Sequence, residues 1–183
     1  TSVAESGTTD TFTVVLGAQP TSDVVISVTS GDTGEATVST GTLTFTSGNW
    51  NSAQTVTVTG VNDSLIDGSQ NTTITMSVVD SISNDSFDSL NDQTVTAATT
   101  DNDTAGFTVT QSGGSTSVAE SGTTDTFTVV LNAQPNSDVV ISVSSGDTGE
   151  ATVSPATLTF TSGNWNSAQT VTVAGVNDSL VDG

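Results

Sequence analysis

Residues 54–79 decide the fold of this chain, and they read QTVTVTGVNDSLIDGSQNTTITMSVV. Polar residues alternate with Val through residues 54–59, and residues 71–79 return to a comparable pattern. Alternation with a period of two is typical of a β-strand that buries one face. Residues 61–68, VNDSLIDG, lie between these runs and combine two acids with Asn, Ser and Gly, which favours a loop. The stretch therefore predicts two β-strands joined by an acidic loop.

The same kind of pattern recurs on both sides of this stretch. Short strands are predicted for residues 2–4, 11–16, 23–29, 36–39 with 42–45, 54–59, 71–79 and 94–99. Seven short strands separated by Gly- and Asp-rich turns are typical of an immunoglobulin-like antiparallel β-sandwich. The predicted fold class is therefore all-β.

The chain also contains a long internal repeat. Residues 1–68 reappear as residues 116–183, an offset of 116 − 1 = 115 residues. The two copies differ at Gly17/Asn132, Thr21/Asn136, Thr29/Ser144, Thr40/Pro155, Gly41/Ala156, Thr59/Ala174 and Ile66/Val181. A period of this length corresponds to a whole domain, so the sequence predicts tandem sandwiches arranged as beads on a string. The predicted domains are residues 1–104, which lack most of the first strand, and residues 105–183, which lack the last strands. The fuller first strand is predicted for residues 107–119.

The composition excludes several classes of function. The 183 residues include no Lys, Arg or His but 20 Asp and Glu, which gives a formal net charge of −20. Without basic side chains the chain cannot neutralise phosphates, which excludes nucleic-acid binding. An anionic membrane would repel it, and no apolar run reaches the ~20 residues of a membrane-spanning helix. The absence of Cys excludes disulfides and thiolate metal sites.

The acids are expected to converge at one end of the sandwich. In an immunoglobulin-like topology the turns after the first, third and fifth strands gather at the same end as the end of the seventh strand. These segments carry Glu5, Asp32, Glu35, Asp63, Asp67, Asp101 and Asp103. Calcium takes six to eight oxygen ligands, mostly carboxylates and carbonyls, which is what this end offers. The alternative is a solvated acidic surface that keeps the protein soluble.

At this point the sequence resembles the Calx-beta family. The matching segments are residues 3–7 (VAESG), 41–48 (GTLTFTSG), 58–68 and 100–103 (TDND). The resemblance implies calcium ligands at Glu5, Asp32, Asp63, Asp67, Asp101 and Asp103, and in the second repeat at Glu120, Asp147, Asp178 and Asp182. The acidic loop is thinned relative to strong binders, with Asn102 in place of the middle acid of the last triplet. We therefore expect one or two weaker calcium ions per repeat, and a metal-free structural repeat is the alternative.

These observations favour a mechanical function. We expect a structural repeat of a secreted or cell-surface fibre or adhesin stalk, stiffened by calcium, whose partners are neighbouring repeats or subunits. No enzymatic activity is expected, because no aromatic cleft accompanies the Asp63 and Asp67 pair. Two alternatives stay open. One is a module that binds a glycan or a cell-surface partner through the Asn-Trp-Asn turns at Trp50 and Trp165, and the other is a filament whose subunits exchange strands.

Overall fold

The computed structural model describes residues 1–177, which divide into two compact units. The first unit comprises Thr1–Asp63 and Asp67–Asn102, and the second comprises Ser64–Ile66 with the chain from Asp103 onward. Both units are built from β-strands, so the predicted all-β class is confirmed. Within residues 1–177 no helix is long and apolar enough to cross a membrane. The predicted domains, 1–104 and 105–183, stay a prediction.

The first unit is a two-sheet sandwich. Its strands are β1 (Ser2–Ala4), β2 (Thr9–Val14), β3 (Val24–Ser30), β4 (Ala36–Val38), β5 (Thr42–Phe45), β6 (Gln54–Gly60), β7 (Gln70–Val78) and β8 (Gln93–Thr100). One sheet has the order β1-β8-β7-β3-β5 and the other the order β2-β6-β4. Neighbouring strands are antiparallel except β1 and β8, which are parallel. A short 3-10 helix, Asp80–Ile82, follows β7. The predicted fourth strand is split, because β4 and β5 lie in different sheets.

The core of the first unit is formed by the inward faces of both sheets. Val56 and Val58 of β6 are fully buried, as the alternation of the opening stretch predicts. Ile74 and Met76 of β7 face them from the other sheet. The remaining buried apolar residues are Val3, Leu16, Val24, Ile26, Val28, Ala36, Leu43, Phe45 and Ala97. The core is therefore mostly aliphatic, and Phe45 is its largest fully buried side chain.

The second unit repeats part of this arrangement. Its strands are β9 (Phe107–Gln111), β10 (Thr124–Leu131), β11 (Val139–Ser142), β12 (Ala151–Ser154), β13 (Thr157–Phe160) and β14 (Gln169–Gly175). One sheet has the order β12-β14-β10-β9, and β11 pairs with β13 in the other. The buried core consists of Val129, Leu131, Leu158, Phe160 and Val171.

The prediction of one continuous first strand over residues 107–119 is wrong. The strand β9 ends at Gln111, and a 3-10 turn follows at Ser112–Gly114. Gly113 and Gly114 adopt positive φ angles of 61° and 87°, which breaks extended structure. Residues 117–119 form no strand. Their counterpart in the first unit, β1, pairs with β8, and residues 1–177 contain no second copy of β8.

Candidate metal centre

Two turns of the first unit bring acids together beside the strand ends. In the turn between β3 and β4, the single hydroxyl proton of Ser30 is shared between the carbonyls of Ala36 and Asp32, which lie 2.6 Å and 2.9 Å from its Oγ. The backbone N–H of Val61 donates to the Glu35 carbonyl at 2.9 Å. This bond anchors the start of the β6–β7 loop against the β3–β4 turn. The side chains of Glu35 and of the loop acids consequently share one end of the sandwich.

Glu35, Asp63 and Asp67 form a three-carboxylate cluster. Each offers one carboxylate oxygen, and these three oxygens all lie within 4.8 Å of one another. Their exposure is graded, because Glu35 is only 9% exposed, Asp63 is half-buried and Asp67 is exposed. The Glu35 Oε2 is buried and has no hydrogen-bond partner. The cluster therefore runs from a buried, unsatisfied oxygen out to solvent.

Electrostatics make this arrangement costly without a cation. Burial raises the pKa of the Glu35 carboxyl above its ordinary value of 4.5, and the charges of Asp67, Asp63, Glu5 and Asp32 raise it further. The sequence contains no Lys, Arg or His side chain that could offset these charges. A buried charge is stable only when it is paired or bound to a metal. A bound cation would satisfy both the Glu35 oxygen and the local excess of negative charge.

Two further acids, Glu5 and Asp101, lie at the same end of the first unit as the three-carboxylate cluster. We call this end, with Glu5, Glu35, Asp63, Asp67 and Asp101, the acidic pole. Glu5 follows β1 and is 1% exposed, and one of its carboxylate oxygens lies within 4.8 Å of one from Asp101. The Glu5 Oε2 accepts a hydrogen bond from the Asn102 N–H at 3.2 Å. The Asp101 Oδ2 accepts one from the Gly68 N–H at 2.8 Å. The acids thus also hold the β6–β7 loop to the end of β8.

The remaining predicted ligands of the first repeat are placed differently. Asp32 is exposed, and its Oδ1 accepts a hydrogen bond from the Gly34 N–H at 2.9 Å, which uses this oxygen within the turn. Asp103 belongs to the second unit. Glu35 was expected at this end of the sandwich but was not among the ligands that the family resemblance implied. The structure makes it the most buried member of the three-carboxylate cluster.

The second repeat shows the same turns without the same burial. The Asp147 Oδ1 accepts a hydrogen bond from Gly149, and the Glu150 carbonyl accepts one from Val176, both at 2.9 Å. Glu120, Asp147 and Glu150 are exposed. Within residues 1–177, neither Glu120 nor Asp147 approaches two other carboxylates to within 4.8 Å. The other two predicted ligands, Asp178 and Asp182, lie outside the described residues.

The donor set of the acidic pole suits calcium. The three-carboxylate cluster and the pair of Glu5 and Asp101 offer only carboxylate side chains as ligands. Hard cations such as calcium prefer oxygen ligands of this kind. The sequence has no His or Cys, the ligands that favour zinc and copper. When bound, calcium would supply positive charge to Glu35, Asp63 and Asp67. Since these residues come from two separate turns, its binding would join them.

Comparisons with known proteins show only distant likeness. No protein-family model matches the chain, and no curated protein matches it. Among solved structures, the YadV chaperone is similar with a TM-score of 0.40 and 11% identity over 98% of this chain and 84% of that chain. CBD12 from CALX1.2 follows with a TM-score of 0.37 and 12% identity over 95% and 72%. Domains 4–9 of the surface layer protein SbsC give 0.31 and 21% over 97% and 26%. These scores are too low to carry an argument about function, and membership of the Calx-beta family stays a prediction.

Proposed function

We propose that the chain is a non-catalytic structural repeat of a secreted or surface-attached fibre or adhesin stalk, stiffened by calcium at the acidic pole. The observation that carries this proposal is the Glu35 Oε2, which is buried without a hydrogen-bond partner beside the carboxylates of Asp63 and Asp67. A merely solvated acidic surface would not bury one of its carboxylates in this way.

The repeat in the sequence supports the mechanical part of the proposal. Residues 1–68 and 116–183 differ at only the seven positions given above, so both copies carry the same acids and the same predicted strands. Tandem copies of one domain hold a binding surface at a distance from the point where the protein is attached, which is a common function of arrays of separate domains. Neighbouring repeats or subunits are then the main partners of each domain.

Calcium would contribute to stability through ligand linkage. A ligand that binds only the folded state, at a free concentration one hundred times its dissociation constant, stabilises a protein by about 2.7 kcal/mol. Single domains have net stabilities of only about 5–15 kcal/mol. The first unit has a core of mostly small aliphatic side chains, so a contribution of this size is a large share of its stability.

Thermal unfolding of the full chain in calcium and in EGTA tests the proposal. Calcium should raise the unfolding temperature of the first unit by roughly 10–20 °C, since 1 kcal/mol corresponds to about 4–8 °C for a domain of this size. The double variant Asp63→Asn with Asp67→Asn should lose this gain. The ionic strength is held constant with NaCl, because calcium would otherwise also screen the net charge.

A matched variant separates a specific site from a general charge effect. Asp23 and Asp92 are exposed and lie outside the acidic pole. The double variant Asp23→Asn with Asp92→Asn therefore removes two negative charges, as Asp63→Asn with Asp67→Asn does, but away from the proposed site. This control should keep the full calcium gain. If wild-type unfolding is the same in calcium and in EGTA, or if both double variants lose the gain equally, the calcium site is refuted and the solvated-surface alternative is favoured.

A further inference from the structure

Two asparagines of the first unit, Asn62 and Asn102, are hydrogen-bonded to each other at the acidic pole. Asn62 lies in the β6–β7 loop directly before Asp63, and Asn102 follows Asp101 after the end of β8. Both asparagines are exposed, and both belong to the first unit. The Asn102 side-chain amide donates to the Asn62 Oδ1 at 2.8 Å. This bond joins two segments that are 40 residues apart in the chain.

The Asn62–Asn102 bond is the middle one of three hydrogen bonds in series. On one side the Asn102 backbone N–H donates to the Glu5 Oε2 at 3.2 Å. On the other side the Asn62 Nδ2 donates to the Asp63 carbonyl at 2.8 Å. The buried Glu5 carboxylate is thus connected, through two asparagines, to the backbone of a member of the three-carboxylate cluster. We call the two bonds made by the Asn62 side chain the amide bridge.

The chemistry of the amide group explains why this bridge consists of asparagines. An Asn side chain has both a donor and an acceptor, whereas an ionised Asp side chain has only acceptors. The Asn62 Nδ2 is directed at the Asp63 carbonyl, and its Oδ1 therefore accepts from Asn102. Two Asp side chains at positions 62 and 102 could not form this bond at neutral pH. The pair of amides is thus a requirement of the bridge.

The amide bridge holds the β6–β7 loop without adding charge to the acidic pole. Carboxylates already crowd this end of the unit, and the sequence contains no Lys, Arg or His. Like charges at such distances repel, which favours movement of Asp63 and Asp67 away from Glu35 in the calcium-free protein. A hydrogen bond between neutral groups opposes this movement whether or not calcium is present.

The bridge also leaves the metal ligands free of its own bonds. Further hydrogen bonds hold the two ends of the loop, from the Val61 N–H to the Glu35 carbonyl at 2.9 Å and from the Gly68 N–H to the Asp101 Oδ2 at 2.8 Å. The bond from Gly68 uses a carboxylate oxygen. The bridge instead uses amide groups and the Asp63 carbonyl. It therefore fixes the backbone of Asp63 without using a carboxylate oxygen of the three-carboxylate cluster.

We infer that Asn62 and Asn102 are positioning residues for calcium, because their amide bridge keeps the β6–β7 loop in its binding arrangement in the calcium-free protein. The inference rests on the calcium proposal for the identity of the ligand. A site that is already arranged loses less conformational freedom on binding, so its affinity is higher. Groups that orient metal ligands typically contribute about 10–100-fold to metal affinity. Neither asparagine has to contact the ion for this effect.

Amide hydrogen exchange of the full chain in EGTA tests the bridge in the absence of calcium. Asn62→Ala and Asn102→Ala should each speed exchange at the Val61 and Gly68 N–H groups by about fivefold, the equivalent of one typical net hydrogen bond. The reason is that the loop opens locally when the bridge is broken. Exchange at the N–H of Val28, which is buried in β3, should not change.

Calorimetric titration of calcium into the same variants tests the effect on the site. Each variant should bind calcium about tenfold more weakly than wild type, while its urea midpoint in EGTA stays at the wild-type value. The double variant should bind no more weakly than Asn62→Ala alone, because Asn62→Ala already removes the bond that Asn102 makes to it. Asn51→Ala, at an exposed position in the turn between β5 and β6, is the control and should change neither exchange nor affinity.

The two measurements separate this inference from the calcium proposal. Unchanged exchange in both asparagine variants overturns the amide bridge, whatever their calcium affinity. Faster exchange together with wild-type affinity overturns the positioning role and leaves the calcium proposal intact. So do additive losses of affinity in the double variant, or a fall in the urea midpoint that accounts for the weaker binding. If wild type binds no calcium, the calcium proposal and the positioning role both fail, and the exchange rates alone then decide whether the bridge holds the loop.

Discussion

Carboxylate oxygens of Glu35 and Asp67 lie within 4.8 Å of each other, although one side chain is buried and the other exposed. Two acids this close repel strongly, because the Coulomb energy of two unit charges at 4 Å is about 4 kcal/mol at an effective dielectric constant of 20. The pair holds its position because the Val61–Glu35 hydrogen bond and the strands around it fix both turns. The sandwich thus imposes a repulsive contact that a cation would relieve.

Replacing Glu35 by Gln should raise the stability of the calcium-free protein and remove the benefit of calcium. The neutral amide ends the repulsion with Asp63 and Asp67 and can donate hydrogen bonds to them. An unsatisfied buried polar group costs about 1–3 kcal/mol, so we expect a gain of about 1–2 kcal/mol in EGTA. Urea unfolding in EGTA and in calcium measures both effects. The exposed counterpart Glu150→Gln serves as the control and should change little.

Mild acid should stabilise the calcium-free protein. The pKa of Glu35 is raised in the folded state, so folding favours its protonated form. The ionised form therefore destabilises the protein above that raised pKa, and this penalty disappears as the pH falls toward the ordinary value of 4.5. Backbone N–H groups of Ser2 and Thr11 lower the pKa of Asp10, and those of Ser117 and Thr126 lower the pKa of Asp125. The stability that these two ionised carboxylates contribute is lost only as the pH falls through and below their ordinary value of 3.8.

The difference in unfolding free energy between wild type and Glu35→Gln isolates the contribution of the Glu35 carboxyl to this pH dependence. Asp88 also has a raised pKa, because of burial and the charges of Asp80 and Asp85, and it contributes equally to both proteins. Unfolding free energies measured between pH 7 and pH 4.5 in EGTA should converge for the two proteins as the pH falls. In calcium the wild type should instead lose stability over the same range, because protons compete with the metal. Parallel pH profiles in EGTA would contradict the role given to Glu35.

Gly60→Ala should unfold the acidic pole. A Cβ at Gly60 would overlap the backbone carbonyl of Ala4, the residue that leads into Glu5. The backbone of β1 cannot move without disturbing its pairing with β8, so we expect a cost of about 3 kcal/mol. Gly41→Ala is the matched control, since its Cβ meets no atom within 4 Å and the second repeat has Ala156 there. Urea unfolding followed by Trp50 fluorescence in a Trp165→Phe background reads out the first unit.

Trp50→Ala should destabilise the first unit by about 2–3 kcal/mol, measured by urea unfolding followed by circular dichroism. Trp50 is half-buried and packs against the core, and truncation of a large core side chain leaves a cavity. Asn51→Ala, at the exposed neighbouring position, should cost less than 0.5 kcal/mol. The same pair of variants bears on the glycan-binding alternative. Binding to a glycan array that Asn51→Ala reduces without loss of stability would favour that alternative.

Local pattern was enough to predict most strands of the first unit. The predicted strand over residues 54–59 is β6 (Gln54–Gly60), because alternating Thr and Val report burial of one face directly. Residues 107–119 misled the prediction, since Phe107 and Val109 at one end and Val118 and Ala119 at the other flank a polar stretch that contains Gly113 and Gly114. Those glycines adopt positive φ angles, and the two halves of the segment need different partner strands. Partner strands are distant in sequence and leave no local signal.

The acidic pole could be predicted as a region but not in its details. The order of the turns was sufficient to place Glu5, Glu35 and Asp63 at one end. It could not show that Glu35 is buried, because that burial comes from tertiary packing: Glu35 directly precedes the fully buried Ala36, and the Thr99 hydroxyl of β8 donates to its carbonyl at 3.3 Å. The identical turn around Glu150 leaves that residue exposed. Burial at this position therefore depends on strands far away in the chain.

Calorimetric titration of calcium into the full chain at pH 7 tests the central claim most directly, with magnesium at equal concentration as the reference. We predict saturable binding with a dissociation constant of about 0.1–1 mM, in the range of extracellular modules. Glu35→Gln should weaken that binding at least tenfold, while Asp23→Asn should leave it unchanged. Heats that match magnesium and are the same in wild type and Glu35→Gln would contradict the claim that the buried Glu35 carboxylate holds calcium.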